Sequence, residues 1–233
     1  MSMNAEILTL IIPCFNEEEN LPELYESCSK YSALTGTRFV FVNNGSSDNS
    51  QSFLDSISHP DISVVNIEIN DGYGNGVWQG VKSANTELIG WIHADQAKLL
   101  GTLNLSMDFL STRNGFFKGF RVGRTKQEKL ISFLMSIICS VILGTRLREI
   151  NAQPSIYPRN LLTGIEKPPK DFSFDMYVYF RAVSNGLEEN RIRVQIPIRT
   201  KGSSSWNTGT GAIIKMSLKT ISAAIQMTRG SKC

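Results

Sequence analysis

The stretch Glu87–Asp95, ELIGWIHAD, is an apolar run that ends in a histidine and an aspartate two residues apart. Three earlier stretches combine an apolar run or a helix start with a polar or glycine-rich turn: Leu8–Glu19 (LTLIIPCFNEEE), Phe39–Ser50 (FVFVNNGSSDNS) and Asn70–Gly80 (NDGYGNGVWQG). Such patterns are typical of strands and the loops at their ends. In open α/β sheets, ligands bind outside the carboxyl ends of the strands. The four loops therefore predict one binding site along one edge of a sheet.

Strand-like and helix-like segments alternate through the first half of the chain, which predicts an α/β fold with a mostly parallel central sheet flanked by helices. The expected strands lie near residues 7–12, 38–43, 62–69, 87–93 and 116–120, and the expected helices over residues 20–33, 48–58 and 75–85. A length of 233 residues with 41% hydrophobic residues fits one domain with a sizeable core. We therefore expect a single domain over residues 1–233.

Charge and cysteine content exclude several classes of protein. The net charge of +3 is too small to indicate a nucleic-acid partner. The 4 cysteines show no CxxC spacing, so we expect neither a zinc site nor a disulfide framework, and a reducing cytoplasm is the simplest compartment. The amino terminus runs directly into the first strand without a basic region, so we expect no secretory signal.

His93 and Asp95 form the candidate metal site. Their spacing of two residues at a strand end points both side chains to the same side, where they can converge on one cation. An imidazole with a carboxylate suits Mn²⁺ or a softer ion better than Mg²⁺ alone. The alternative for His93 is a histidine that is satisfied in the core, but a second polar group two residues later favours the metal. The expected cofactor is a divalent ion, Mn²⁺ or Mg²⁺.

Two of the loops have competing interpretations. Asp48 either contacts a ligand or caps the helix that follows it. The glycines Gly74 and Gly76 either let the backbone approach a ligand closely or form a plain turn before a helix. The GxGxxG spacing of a dinucleotide loop fails because Val77 occupies the third glycine position, which argues against a Rossmann dehydrogenase.

The segments IIPCFNEEENL, VNNGSSDNS, GYGNGVWQGVKSA and WIHAD, in this order, resemble the family 2 glycosyltransferases of the GT-A fold over about the first 125 residues. That family includes dolichyl-phosphate mannose synthase and bacterial polyprenyl-phosphate glycosyltransferases. The resemblance implies an inverting transferase that binds a nucleoside-diphosphate sugar, holds its pyrophosphate through a divalent ion and passes the sugar to an acceptor. The nucleotide-sugar contacts that we expect on this basis are Pro13, Phe15, Glu17, Asn44, Asp48, Gly74, Gly76, Ala94 and Asp95.

This chain departs from the family pattern at three places. Asn43 and Asn44 stand where the family usually has two aspartates, so the contact to the base is an amide that can donate or accept. His93 replaces the first acid of the Asp-x-Asp motif, which removes one hard oxygen ligand and one negative charge. Gln96 lies one residue earlier than the family's glutamine, and we do not count it as a ligand.

The second half resembles the family more loosely. FKGFRVGR carries Arg121 and Arg124, and IPIRTKGSSSWN carries Arg199 and Ser204; the resemblance implies that these four residues contact the acceptor or its phosphate, whereas the alternative is solvated charge. Asp175, in FSFD, is the catalytic candidate. A hydroxyl acceptor needs a base, whereas a lipid phosphate is already ionised, so the sequence leaves open whether Asp175 moves a proton or orients the acceptor.

Two segments predict contact with a membrane surface. Leu130–Leu143 is almost entirely apolar but, at about 14 residues, too short to span a bilayer, and cations precede it. The tail AIIKMSLKTISAAIQMTRGSK also mixes apolar residues with cations, as interfacial helices do. The alternative is a core helix followed by a solvated amphipathic one. We expect peripheral binding to the inner face of the cell membrane.

The expectation that follows is a donor-binding half over residues 1–125 and an acceptor-binding half over residues 126–233. The expected reaction is transfer of a sugar to a polyprenyl phosphate or lipid-linked glycan in cell-surface polysaccharide synthesis. Two alternatives stay open: a transferase that extends a sugar hydroxyl on an oligosaccharide, and a protein that binds a nucleotide sugar without turnover.

Overall fold

Seven strands form one sheet at the centre of the computed structural model, which describes residues 7–94, residue 100, residues 115–195 and residues 210–230. The strands are β1 (Leu8–Cys14), β2 (Arg38–Asn44), β3 (Ile62–Ile67), β4 (Leu88–Trp91), β5 (Phe116–Val122), β6 (Ser155–Pro158) and β7 (Glu189–Gln195). The helices in these ranges are α1 (Leu21–Thr35), α2 (Ser50–Asp55), α3 (Tyr73–Ser83), α4 (Lys126–Leu143), α5 (Arg159–Leu162), α6 (Ser173–Ser184) and α7 (Thr210–Gly230).

The strand order is β3-β2-β1-β4-β6-β5-β7. Strand β1 pairs in parallel with β2 and β4, β2 with β3, and β5 with β7, while β6 runs antiparallel to both β4 and β5. All strands except β6 therefore point the same way, and their carboxyl ends share one edge. The predicted α/β class with a mostly parallel sheet is confirmed. The order reverses between β1 and β4, which is where such sheets bind ligands.

Burial explains why β1 lies at the centre of the sheet. Its side chains are buried on both faces, as expected for a strand that reads as a continuous apolar run. Leu10 and Ile12 pack with α1 and α2, whereas Ile11 packs with α3 on the opposite face. A Cβ on Gly80 of α3 would lie 2.4 Å from Cγ2 of Ile11, so only a glycine lets this helix approach the strand so closely.

The predicted elements of the first half are present, with small changes in length. The strand expected over residues 62–69 ends at Ile67, and the helix expected over residues 48–58 is shortened to Ser50–Asp55. The long apolar segment of the second half is helix α4, whose buried residues are Met135, Ser136, Cys139 and Leu143. Its opposite side is exposed. None of the described helices is both long enough and apolar enough to cross a membrane.

Gly119 in β5 is a position where packing forbids a side chain. A Cβ there would lie 2.2 Å from the backbone oxygen of Gln153, and the Gly119 amide donates a hydrogen bond to the oxygen of Pro154 at 2.9 Å. We predict that Gly119→Ala lowers the free energy of unfolding by about 2 kcal/mol or more, because backbone cannot yield as a flexible side chain can. Urea unfolding with tryptophan fluorescence measures it.

Gly211 in α7 supplies the control, because none of the described residues that flank the helix in space lies within 4 Å of the position that a Cβ would take there. Gly211→Ala should leave stability unchanged or raise it by up to ~1 kcal/mol, since alanine favours helix. Equal stability changes in the two variants would contradict the steric argument.

Candidate active site

The loop after β1 is bound to the loop after β2. The Asn16 side-chain oxygen accepts a hydrogen bond from the Ser47 amide at 2.8 Å, and the Asn16 amide donates to Oγ of Ser46 at 3.1 Å. Asn16 itself has a left-handed backbone, with φ 55°, which asparagine tolerates better than most residues. These bonds hold the two motif loops together at the carboxyl edge of the sheet.

Pro13, Phe15 and Glu17 are all half-buried on the first of these loops. Glu17 is fixed there twice, because its amide donates to Oγ of Ser50 at 2.9 Å and its carboxylate accepts from the side chain of Asn20 at 2.5 Å. The structure thus places all three residues at the expected edge. Their contact with a nucleotide stays a prediction.

Asp48 connects the two loops through both of its carboxylate oxygens. One oxygen accepts from the Ser50 amide at 3.0 Å, at the start of α2, and the other accepts from the Glu18 amide at 3.2 Å. Burial alone would raise the pKa of Asp48, but the hydrogen bonds from Ser50 and Glu18 outweigh it and lower the pKa. The contacts seen here are structural ones, and the nucleotide contact of Asp48 stays a prediction.

Asn44 is buried at the end of β2 and faces the start of α3. Its side-chain nitrogen donates to the side-chain oxygen of Asn70 at 3.3 Å and to the backbone oxygen of Gly72 at 3.2 Å. Its side-chain oxygen is buried and has no hydrogen-bond partner among the described residues. Asn44 therefore offers an acceptor, since its two donor hydrogens are committed.

The glycines of the third loop let the backbone pass close to another part of this chain. A Cβ on Gly74 would lie 2.4 Å from the backbone oxygen of Pro169, and the Asn75 amide donates to the Lys170 oxygen at 3.1 Å. Gly76 packs against Asn44, whose Cγ would lie 3.2 Å from a Cβ. The sequence analysis considered a ligand or a plain turn, and the structure adds packing inside the protein as a reason for glycine.

His93 follows β4 and is half-buried beside an aromatic stack. The His93 ring centroid lies 5.4 Å from that of Tyr73, and the Tyr73 ring stacks on Phe172 at 4.6 Å. Ala94 is buried next to it. Within the described ranges no group of three or more His, Cys, Asp or Glu side chains is placed to hold a metal ion. Asp95, Arg199 and Ser204 lie outside the described residues.

Asp175, in the first turn of α6, is only 1% exposed. One of its carboxylate oxygens accepts a hydrogen bond from Nε1 of Trp91 at 2.6 Å and lies 3.5 Å from Oγ of Ser155. The buried Lys118 side chain donates to the same Ser155 hydroxyl at 2.8 Å. Buried charges need partners of this kind, so the carboxylate is held in a network that links β4, β5, β6 and α6.

Tyr73 joins this network to the edge of the sheet. Its hydroxyl accepts a hydrogen bond from Nε2 of Gln153 at 2.5 Å. Burial, together with the neighbouring Asp175 charge, raises the pKa of Tyr73 well above its ordinary value, so the phenol stays protonated at neutral pH. The catalytic role of Asp175 stays a prediction, and its burial favours orientation over direct contact with an acceptor.

Arg121 and Arg124 lie at the carboxyl end of β5 and share one carboxylate. Nε of Arg121 donates to Oε2 of Glu149 at 2.7 Å, and a terminal nitrogen of Arg124 donates to Oε1 of the same residue. Arg124 also donates to Oγ of Ser132 at 2.8 Å. The two arginines that the sequence assigned to the acceptor phosphate are thus adjacent.

Five residues of this site were not identified from the sequence: Tyr73, Lys118, Glu149, Gln153 and Ser155. Lys118 could have been recognised, because it interrupts an apolar strand in FFKGF, where a lysine must be buried with a partner. The other four are recognisable only through their contacts.

Comparison with known proteins identifies the family. The model of Glycosyl transferase family 2 matches residues 9–131, which is more than half of the chain. The chain belongs to glycosyltransferase family 2. It has the GT-A fold, as the resemblance implied.

Two curated relatives and one solved structure illustrate the similarity. The chain is 31% identical over 99 residues to the undecaprenyl-phosphate 4-deoxy-4-formamido-L-arabinose transferase of Shewanella sediminis, covering 40% of this chain and 30% of that protein. It is 29% identical over 118 residues to an uncharacterized glycosyltransferase of Mycobacterium bovis, covering 48% and 50%. The matches thus span half or less of the length of these relatives.

The solved structure is glucosyl-3-phosphoglycerate synthase from Mycobacterium tuberculosis in complex with Mn²⁺, uridine diphosphate and phosphoglyceric acid. Its TM-score is 0.66 at 15% identity, with 95% of this chain and 78% of that chain covered. This likeness concerns the fold.

Lys118 generates a test of the buried network. Burial lowers its pKa from 10.5 to about 8, although the Asp175 charge opposes the shift. Between these two values the unfolded chain holds the proton and the folded protein does not, so stability rises with pH in this window. We predict that the stability advantage of the wild type over Lys118→Met widens from pH 8 to pH 10.

Urea unfolding of both proteins at several pH values measures this difference. Lys82→Met, at an exposed lysine on α3, is the control for removal of a lysine from the surface. A constant difference for Lys118→Met would mean that the lysine keeps its ordinary pKa when buried, and a narrowing difference would mean that its pKa is raised; either result would contradict the prediction.

Proposed function

We propose that this chain transfers a sugar, with inversion, from a nucleoside-diphosphate sugar to a polyprenyl phosphate or lipid-linked glycan acceptor, in cell-surface polysaccharide synthesis. The observation that carries the proposal is the common edge of the sheet. The family's loops after β1 and β2, the loop before α3 and the end of β4 lie there together with Arg121 and Arg124. Residues 1–125 would bind the donor and residues 126–233 the acceptor.

The donor side would use the loops of the first half. The bonds between the loops after β1 and β2 give a preformed surface, which lowers the entropy cost of binding. On this surface Pro13, Phe15 and Glu17 would line the nucleotide pocket. The free oxygen of Asn44 would accept a hydrogen bond from the base, which makes an N–H group on the base the expected partner.

A divalent ion would be held by His93 and Asp95 together with the donor pyrophosphate. His93 is the described member of this pair, and its half-buried ring packs beside Tyr73, with the ring centroids 5.4 Å apart. The mixed nitrogen and oxygen donors fit Mn²⁺ better than Mg²⁺. When bound, such an ion stabilises the negative charge that develops on the leaving group.

The acceptor side favours a phosphate over a hydroxyl. Arg121 and Arg124 provide cationic donors suited to a phosphate group. A hydroxyl acceptor would need a base within reach, but Asp175 is buried beneath Trp91 and Ser155. A polyprenyl phosphate is already ionised and needs no base, so the buried Asp175 would orient Trp91 and Tyr73. The undecaprenyl-phosphate transferase among the relatives supports the same acceptor class.

Membrane attachment would use an exposed apolar face, which we define as the large apolar side chains on the outer side of α4 and α7. On α4 these are Leu130, Phe133, Leu134, Ile137, Ile138 and Val141, and on α7 they are Ile214, Leu218 and Ile225. The α4 residues recur every three or four positions and are each 42–77% exposed. Helices α4 and α7 pack against each other, which brings these exposed apolar side chains to one part of the molecule. Exposed apolar side chains that are grouped in this way indicate an interaction site.

Charge around the apolar face fits an anionic lipid surface. Together α4 and α7 carry five Lys or Arg residues and one Glu, a net charge of +4, compared with +3 for the whole chain. Exposed cations also lie beyond the end of α4, at Arg146 and Arg148. Cations at both ends of an apolar stripe suit a helix that lies flat in the interface.

Nucleotide binding tests the donor site. We predict that one of UDP, GDP, CDP and dTDP binds in a titration calorimeter, and that Mn²⁺ raises its affinity. His93→Ala should remove that metal-dependent gain, on the order of 10-fold or more, because a ligand to the ion is lost. Transfer of labelled sugar to undecaprenyl phosphate should fall with it.

The chain has 2 histidines, and the other one, His59, gives a matched control. Its ring nitrogen lies 3.1 Å from the Ser29 hydroxyl, and neither residue belongs to the motif loops. His59→Ala should keep the metal effect. Absence of binding by the wild type to every nucleotide, with and without Mn²⁺, would refute the proposed function.

Vesicle binding tests the apolar face. We predict that Phe133→Ser with Ile137→Ser reduces co-flotation with phosphatidylglycerol vesicles about tenfold or more, because each buried side chain contributes about 1.5–3 kcal/mol. Added salt should weaken binding of the wild type. Leu34→Ser, on α1 at 84% exposure, is the control and should bind like the wild type. Equal binding by all variants would exclude this face.

A further inference from the structure

Glu149 occupies the space between the two arginines of the candidate acceptor site. Its two carboxylate oxygens are divided between Arg121 and Arg124, and the three side chains are 16%, 19% and 7% exposed. Glu149 has a left-handed backbone, with φ 48°, a conformation that costs free energy for a residue with a Cβ. The Glu149 backbone oxygen accepts a hydrogen bond from the Ala152 amide at 2.9 Å, which closes a turn at this position, and the carboxylate is held by its contacts with the two arginines.

The contacts leave the two arginines in different states. Arg124 is fixed by Glu149 and by Ser132, and its Nε is buried without a hydrogen-bond partner among the described residues. Arg121 is anchored through Nε, at 2.7 Å from Glu149, and its two terminal amino groups have no hydrogen-bond partner among the described residues. These two groups form a pair of donors of the kind that a phosphate accepts.

On electrostatic grounds alone, Glu149 should weaken the binding of a phosphate to the two arginines. A carboxylate beside two arginines reduces their positive charge and should repel a phosphate. Without it, however, two like-charged guanidinium groups would lie close together at the end of β5, and Arg121 would lose the bond that sets its direction. Ordering a free arginine side chain on binding costs affinity, whereas a fork that is already oriented avoids that cost.

We propose that Glu149 is a positioning residue for the acceptor phosphate: it holds Arg121 by Nε so that the two terminal nitrogens face the phosphate. The inference rests on the proposed function, because it presumes that the acceptor carries a phosphate. The decisive observation is whether a substitution that removes the charge of Glu149 weakens or strengthens phosphate binding. Removal of the negative charge should weaken phosphate binding, although electrostatics alone predicts that it strengthens it.

The primary variant is Glu149→Gln. A glutamine keeps one acceptor oxygen, but its amide hydrogens oppose an arginine N–H, so one of the two arginines is released. We expect the KM for farnesyl phosphate, a short and soluble polyprenyl phosphate, to rise on the order of tenfold. The KM for the nucleotide sugar should change less than twofold. A lower KM for farnesyl phosphate would overturn the proposal.

Arg121→Lys is the second variant and does not depend on removing Glu149. Lysine has a single ammonium group in place of the planar guanidinium, so the variant keeps the positive charge. It cannot bind Glu149 through one nitrogen and present two parallel donors to a phosphate. We expect it to raise the KM for farnesyl phosphate nearly as much as Arg121→Ala does. Retention of wild-type KM by Arg121→Lys would show that charge alone suffices and would overturn the proposal.

Glu166→Gln, at an exposed acid in a loop, is the matched control for charge removal and should leave both KM values unchanged. Thermal melting distinguishes a structural role of Glu149 from a positioning role. If the role is purely structural, Glu149→Gln lowers the melting temperature while both KM values stay constant. That result would also overturn the proposal. A wild type that binds no nucleotide sugar would instead refute the proposed function, and with it this inference.

Discussion

The buried carboxylate of Asp175 connects the parts of the chain that form the site. It binds Trp91 at the end of β4 directly, it reaches Lys118 of β5 through Ser155 of β6, and its charge acts on Tyr73 at the start of α3. A buried anion without these partners would be strongly unfavourable. The positions of strands β4, β5 and β6 and of helix α3 are therefore interdependent. The position of His93, two residues after Trp91, depends on the same network.

The glycine-rich loop before α3 is fixed from a second direction. Gly72 and Gly74 lie against the backbone of residues 169–171, directly ahead of helix α6, which carries Asp175. The same two segments thus meet once through close backbone packing and once through Tyr73. Because both contacts must form together, the donor loop has little freedom to shift relative to the network, and preorganisation of this kind is what an active site requires.

Much of the first half of the chain could be predicted from the sequence, because parallel strands place their following loops at one edge. The strands that bear the motifs lie where the apolar runs placed them, and the glycosyltransferase family was identified from the motif order. The segment with Glu149 and Gln153 was not predicted as part of the site, for a physical reason. It precedes β6, the one described strand that runs antiparallel, so the amino end of β6 lies at the edge where the other strands have their carboxyl ends.

Asp175 illustrates a different limit. The sequence located it at the start of an apolar helix but could not give its burial, which depends on Trp91, far away in the chain, and on Ser155. The sequence placed Arg121 and Arg124 after a strand; Arg124 does follow β5, but Arg121 lies inside it, near its carboxyl end. The carboxylate between them follows from tertiary contact alone. Side-chain pairing across long sequence separations has no local signature, and the proposed mechanism depends on these residues.

The concentration of positive charge on α4 and α7 has a consequence before any contact is made. Since these two helices carry a net +4 and the whole chain +3, the remainder of the molecule is close to neutral. The protein therefore has a pronounced charge asymmetry, and a negatively charged surface exerts a torque on it as well as an attraction. Within about 10 Å of such a surface, the Debye length at ordinary ionic strength, this torque would turn the molecule so that α4 and α7 arrive first.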